Sequence, residues 1–507
     1  MSPRISTGSD YRSGGAVSLG GRKAWSATVP LSRRSLLIGG AGVAAISIPG
    51  VAIAQAQVLP SEARRLTETE RRQGRRDLDA APRNKTTYAV EHGVVADGRT
   101  DDTAAMRAAY AAAADVQGVS DLALPAGVIV IDGLLEWDRG QVSVRGTGQG
   151  STVLRQRRRG TGALLIRKPT RGNLSNVSLT GLTIDMATGI DPGTGVGIRA
   201  EAIINLSLTD VAVSGFQTNC VLAGCFDTSG HNCDFIGAAT APSDRIGLHI
   251  TQSLPDFGGA HGGNIKFTSA ESRTVTGLQG RPGLDRCLVI DACDGAFFDG
   301  CYFGYSKTSA VVLRKLGALV TGVTFANCWF DAFEGVNVLI EGQGGPANGA
   351  VKFIGCTWVG GVRVERNLVV GGDWTDVSVT GGSMQWATAD NAYFGPGTSR
   401  IAISGLSVAL ADSDNAGGGD GIYCDGASVV DIEVLIDGKG HTETGVRVTG
   451  GRAVRVAGVI TGCARAVLTE GDLDYYRIDV VAWGNSAAPA IVDSATGAHK
   501  TVTAGAW

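Results

Sequence analysis

Apart from one alanine-rich stretch near residue 105, no part of this chain holds the 3.6-residue apolar period long enough to build a helical repeat. Helical bundles and helical solenoids are therefore excluded. No face dense in lysine and arginine is evident, which argues against nucleic acid as a partner. Only six histidines occur, and they are scattered, while none of the ten cysteines stands in a Cys-x-x-Cys pair. A structural metal centre thus has no obvious ligand set. Three aspartates among the glycines between Ala411 and Gly421 offer oxygen ligands for calcium, but their spacing matches no recognised loop, so no cofactor is expected.

What is present is repetition. Phe298-Asp299-Gly300-Cys301-Tyr302-Phe303 returns 27 residues later as Phe325-Ala326-Asn327-Cys328-Trp329-Phe330, and 28 residues after that as Phe353-Ile354-Gly355-Cys356-Thr357-Trp358. A partial earlier copy is Asn232-Cys233-Asp234-Phe235. A fixed period in this range marks stacked coils, each burying its apolar face on its neighbours. The apolar runs are short, β-rich and broken by Gly, Asn or Asp, as in residues 176–185, so the repeating units are strands. Glycine, at 75 of 507 residues, is about twice its average share, as frequent tight bends require. The expected fold is all-β: a right-handed, single-stranded parallel β-helix with a short N-terminal capping helix.

The chain is expected to divide into an export signal (residues 1–56), a charged linker (57–87) and the β-helix domain (88–507), of which 88–135 form the cap and entry coil. The leader ends in Ser32-Arg33-Arg34-Ser35-Leu36-Leu37, an apolar stretch and small-residue cleavage sites around Ala54 and Ala56. The Arg-Arg pair before Leu-Leu resembles a twin-arginine signal, which implies a periplasmic or secreted protein with no stable membrane insertion once the leader is removed. The leader carries six basic residues and one acidic residue, so its removal leaves 39 basic against 47 acidic and moves the net charge from −3 to −8. The linker, with Arg64-Arg65, Arg71-Arg72 and Arg75-Arg76 among acids, reads as a solvated segment.

From Tyr88 the sequence resembles a family. Val94-Val95-Ala96-Asp97-Gly98-Arg99-Thr100-Asp101-Asp102-Thr103-Ala104-Ala105-Met106, followed by an Ala-rich segment and Leu122-Ala123-Leu124-Pro125-Ala126-Gly127, is similar to the entry segment of the pectate-lyase-superfamily β-helix proteins. That group includes polygalacturonase-like glycosidases and phage tailspikes. A helix from Thr103 to Ala114 would plug the open end of the solenoid, with Asp101-Asp102 as its cap and not a catalytic pair. The resemblance implies a polysaccharide partner and, since trimers are common in the group, either a homotrimer or a monomer. It does not fix the reaction. The polygalacturonase motifs have no counterpart in the coils, Ala260-His261-Gly262 and Gly230-His231-Asn232 being the nearest, and Arg281-Pro282-Gly283-Leu284-Asp285-Arg286 lacks the calcium-dependent lyase spacing.

Candidate residues come from the repeat register. Aligning the coils on Cys301, Cys328 and Cys356 puts these thiols inside, and puts Tyr302, Trp329 and Thr357 in one outward column with Asp234 at the same position. Exposed aromatics in a row mark a surface on which sugar rings stack. Just beyond, Asp331 and Glu334 offer the two carboxylates of a glycoside hydrolase. Tyr305 and Lys307 are the candidate bases if the reaction is instead β-elimination on a uronate. Arg363 and Arg366 are placed to meet a substrate carboxylate, and the loop from Leu254 to Gly263, with Asp256 and His261, to cover a groove. Disulfides, if any, would join Cys220 to Cys225 or Cys233, and Cys287 to Cys293. The functional expectation is an exported polysaccharide-degrading enzyme, a hydrolase before a lyase, with a non-catalytic carbohydrate-binding or surface-structural protein as the alternative of another class.

Overall fold

A computed structural model describes residues 85–505, apart from 117, 171, 238–243, 258, 260, 275–282, 316–317, 343–348, 412–417 and 498. The expected leader, almost all of the linker and most of the aspartate loop at 411–421 lie outside the described residues. Within them the chain forms 37 strands, every pairing between them parallel. This is the expected parallel β-helix.

Each coil contributes one strand to each of three faces. Face A contains, among others, Ile246–Thr251, Leu284–Ile290, Ser306–Lys315, Val364–Val370 and Asp420–Asp425. Face B contains Gly262–Thr268, Cys293–Asp299, Val320–Ala326 and Gly349–Ile354. Face C contains Asp234–Gly237, Glu271–Thr274, Tyr302–Gly304, Trp329–Asp331 and Thr357–Val359. The register is strict: Glu271 pairs with Tyr302, Tyr302 with Trp329, and Trp329 with Thr357, one rung or about 4.8 Å apart.

The repeated phrase is the corner between faces B and C. Gly300, Asn327 and Gly355 adopt left-handed backbone angles (φ +60°, +51° and +61°), a conformation that only Gly and Asn reach cheaply. The cysteine that follows turns inward. The Cys328 thiol donates to the Phe298 carbonyl of the coil before (3.4 Å), and Cys356 does the same to Phe325 (3.4 Å). All ten cysteines are free and buried, so the candidate bridges Cys220–Cys225, Cys220–Cys233 and Cys287–Cys293 are not formed. Burial pushes the Cys225 and Cys287 thiols up to about 12, which keeps them protonated and inert.

Two aromatic columns fill the interior beside these thiols. Phe298, Phe325 and Phe353 stack with ring centroids 5.2 and 5.3 Å apart, and Phe303, Phe330 and Trp358 stack at 5.8 and 5.3 Å. The two columns meet edge to face, as at Phe325 and Phe330 (5.5 Å). Such pairs add about 0.5–1.5 kcal/mol each beyond the area they bury.

At the N-terminal end, helix α1 (Thr103–Ala114) packs Met106, Ala109, Tyr110 and Ala113 into the core. Asp101 accepts from the Thr103 N–H (3.0 Å), capping the helix, while buried Asp102 accepts from the Val95 and Ala96 N–H groups (2.8 and 3.1 Å) and ties down the entry segment. Both carboxylates are occupied structurally. No helix among the described residues is long and apolar enough to cross a membrane.

Candidate functional site

The corner from face C to face A gathers several of the residues that the sequence singled out. Tyr302 and Trp329 point outward on neighbouring rungs, Tyr302 partly buried and Trp329 47% exposed, with Asp234 and Thr357 in the same column. Glu271, between Asp234 and Tyr302, belongs to this column and was not singled out because its coil lacks the Cys phrase. The Tyr302 ring lies down across Gly304, where a Cβ would come within 2.4 Å of it. Gly304 pairs with Asp331, so this approach lets the Tyr302 hydroxyl donate to Asp331 Oδ2 at 3.2 Å. Burial raises the Asp331 carboxyl above its ordinary value, and the Tyr302 hydrogen bond offsets only part of that. The Tyr302 phenol is itself raised, first by burial and then by the Asp331 charge.

Tyr305 completes the corner. Its ring stands edge-on to Tyr302 (6.4 Å), and its N–H donates to the Asp331 carbonyl at 2.6 Å. Its φ of +55° is an uncommon angle for a bulky side chain and is held there by the ladder bond. Glu334 is half-buried past the turn, and no hydrogen bond joins it to Asp331. Lys307 is exposed on the strand leaving the corner.

The arginines are already engaged. Arg363 lies over the Phe333 ring (5.0 Å). Arg366 pairs with Asp390 (2.9 Å) and Glu365 (2.6 Å) and lies over Tyr393 (5.1 Å). Arg366 is thus held by two carboxylates, whereas exposed Arg363 has the ring contact and no carboxylate partner among the described residues.

Two groupings on face A were missed by sequence reasoning, although Arg366 and the aspartates of the 411–421 loop, Asp420 among them, were each noted singly. The first is Arg366–Asp390–Asp420–Arg447. Asp390 Oδ1 accepts the Asp420 N–H (3.1 Å), Asp420 Oδ1 accepts the Thr444 N–H (3.1 Å), and Arg447 stands 3.9 Å from Asp420 and pairs with Glu470. Burial, then the neighbouring Asp390, push the Asp420 carboxyl up to about 7, with Arg447 opposing. These acids are only 4% and 2% exposed and spend an oxygen each on the next rung's backbone, so they brace the corner and are not open to a ligand. In the same way Asn337, Asn367 and Asn391 form an internal amide ladder (2.6 Å each step) that also holds the carbonyls of Val359, Gln385 and Ala409.

The second is His249–Asp291–Arg314. His249 Nε2 donates to Asp291 Oδ2 (2.6 Å) and Arg314 Nε to Oδ1 (2.6 Å). Burial disfavours the Asp291 charge, but these two hydrogen bonds outweigh it and hold the carboxyl below its usual range. An ionised Asp291 accepts the proton on His249 Nε2, and Nδ1 has no hydrogen-bond partner among the described residues. In register, His249 pairs with Val289 and Asp291 follows two residues on; the 42 residues between the partners hide this from a sequence alignment of coils. Of the loop after it, residues 258 and 260 lie outside the described residues. Leu254 N–H is bound by buried Glu201 Oε1 (2.7 Å) and Phe257 lies under Arg167 (6.0 Å), so the segment from Leu254 to Phe257, with Asp256, turns toward the N-terminal coils. Among the described residues no group of three or more His, Cys, Asp or Glu could hold a metal ion.

No family model matches the chain, and no curated protein matches it. Among solved structures it is similar to pre-mature gene product 12 of bacteriophage phi29, with a TM-score of 0.54 at 14% identity over 82% of this chain. The chain spans 55% of that protein's length. Lower similarity extends to the Dettilon tailspike protein gp208 (TM-score 0.43, 13% identity, 76% of this chain and 68% of that one). It also extends to the catalytic unit of a GH87 α-1,3-glucanase from Streptomyces thermodiastaticus (TM-score 0.43, 12% identity, 82% and 69%). At these identities the likeness is one of fold.

Proposed function

We propose that the protein acts on a polysaccharide and hydrolyses glycosidic bonds at the corner between faces C and A, with Asp331 as the acid. The observation that carries this reading is Asp331 itself: a half-buried carboxyl, raised by burial, under a phenol hydrogen bond and beside exposed aromatic rings. A general acid needs a carboxyl raised above its ordinary value, and the partly apolar site moves Asp331 in that direction. Trp329, one rung from Tyr302, offers a ring face on which a sugar can stack. Glu334 is the second carboxylate of the proposal, and its distance from Asp331 across a bound sugar decides between inversion and retention. Tyr302, the phenol in contact with Asp331, is raised and so stays protonated at neutral pH, which leaves it unsuited to serve as the base of an elimination.

A second reading, elimination on a uronate glycan, has its own observation: His249 is oriented by Asp291 through Nε2, and its Nδ1 has no hydrogen-bond partner among the described residues. The test is incubation of the mature protein with neutral and uronic polysaccharides, following reducing ends together with the ultraviolet absorbance of an unsaturated uronate. Reducing ends alone, abolished in Asp331→Asn, support hydrolysis. Both signals together, abolished in His249→Gln and not in Asp331→Asn, replace it with elimination. Glycan binding with neither signal assigns the protein to the non-catalytic class.

A further inference from the structure

Beyond that reading, and independent of it, the N-terminal cap encloses a cavity that the corner chemistry does not use. It measures about 590 Å³ and lies between helix α1, the strand Leu135–Trp137 and the residues after the strand Leu164–Ile166. Its floor is the stacked pair Tyr110 and Trp137, ring centroids 5.3 Å apart and 10° from parallel. The Tyr110 hydroxyl is locked between the Arg139 N–H (2.8 Å) and the Arg139 carbonyl (3.2 Å), so the floor is rigid.

The rim carries three guanidinium groups, Arg107, Arg139 and Arg167, and three carboxylates, Asp115, Glu136 and Asp138. Elsewhere on this protein, opposite charges that meet across neighbouring rungs pair: Arg155 with Asp185 (2.7 Å), Arg400 with Asp376 (2.6 Å), Arg455 with Asp431 (2.7 Å). Around the cavity none of the six is paired with another. Arg107 gives one hydrogen bond to the Leu134 carbonyl (2.9 Å), Arg167 rests over Phe257, and among the described residues the side chains of Asp115, Glu136, Asp138 and Arg139 make no hydrogen bond. Donors and acceptors in equal number, left open around an apolar floor, fit a ligand whose groups both donate and accept and which carries no net charge. A phosphate would need surplus cations.

We propose that this cavity is a binding site for a neutral, hydroxyl-rich ligand, a mono- or disaccharide unit, held by Arg139 and Asp138 over the Tyr110–Trp137 floor. The site stands at the head of face A, where Glu136 pairs with Leu165 and Leu165 with Arg199, and it lies many rungs from Asp331. It therefore binds without taking part in cleavage.

The test is isothermal titration calorimetry of the full chain against neutral mono- and disaccharides, with glycine betaine and inorganic phosphate as the zwitterionic and anionic probes. Saccharide binding that weakens at least tenfold in both Arg139→Gln and Asp138→Asn, and is unchanged in Asp331→Asn, is the expected result. The Asp138 side chain makes no hydrogen bond or ion pair among the described residues, so Asp138→Asn is expected to melt with the wild type and keep the comparison free of unfolding. No saccharide binding, binding indifferent to both substitutions, or binding of betaine or phosphate alone would overturn the assignment. Loss of cleavage in Asp331→Asn bears only on the corner, so the two readings fail separately.

Discussion

At the corner between faces B and C the chain turns on two residues, a left-handed Gly or Asn and a buried Cys, and each copy repeats the one before. At the corner between faces C and A the coils of the Cys phrase carry Tyr305 in one and Asp331 with Glu334 in the next, whereas the asparagine ladder and the Asp390–Asp420 pair repeat only in the buried part of that corner and in later coils. The first corner faces two packed columns of rings, so any change meets neighbours above and below. The second faces water on one side, and each coil can solve the turn differently. The difference teaches where chemistry can enter a stacked fold: not where the repeat is strictest, but at the corner the repeat leaves free.

Breaking the strict corner should have the largest effect. Phe325→Ala removes a ring stacked on both sides and in edge contact with Phe330, and is expected to cost about 3–5 kcal/mol in denaturant unfolding. A loss below about 1 kcal/mol would mean the columns are not the core. Next comes the buried acid of the other corner. The Asp420 carboxyl titrates at about 7 in the folded chain against an ordinary 3.8. Below about pH 4 it is protonated in folded and unfolded chains alike and has no effect. As pH rises from 4 to 7 the unfolded chain gives up the proton that the folded chain keeps, so stability falls by about 4 kcal/mol in total and levels off above 7. Asp420→Asn should flatten that slope, as melting temperatures at pH 5 and pH 8 will reveal; an unchanged slope assigns it to other groups.

Asp331→Asn should lower kcat on the cleaved glycan about 100-fold, or about 2.7 kcal/mol, with the melting temperature unmoved. A folded variant of full activity would remove Asp331 from the reaction. The smallest effect expected is at Trp329. Trp329→Ala should weaken glycan binding about tenfold, or 1.4 kcal/mol, while leaving stability intact, because its ring is half in water. If stability falls instead, Trp329 serves packing, and the contrast between the corners narrows.

Legibility in the sequence followed the same division. The B–C corner could be read because its physics is local: a left-handed angle selects Gly or Asn, the next side chain must be small and apolar, and the one two places on must fill the core. From that phrase alone came the outward column of Tyr302, Trp329 and Thr357, in the register observed. The limits of helix α1 were equally local, set by Asp101 at the start and an alanine run behind it. Arg366 shows the opposite case. It reads as a free surface cation, yet it is committed to Asp390, 24 residues away on the next rung. His249 and Asp291 are farther apart still, and insertions between their coils spoil any fixed period.

The sequence by itself determined that this chain stacks into a parallel β-helix with buried thiols and an N-terminal helical plug, because those features arise from backbone angles and side-chain size within a few residues. Only the tertiary structure decided which charged groups meet, which stay open and which acid keeps its proton. Those outcomes depend on what lies one rung away, at a distance along the chain that each coil's loop sets anew, and on how far that neighbour excludes water.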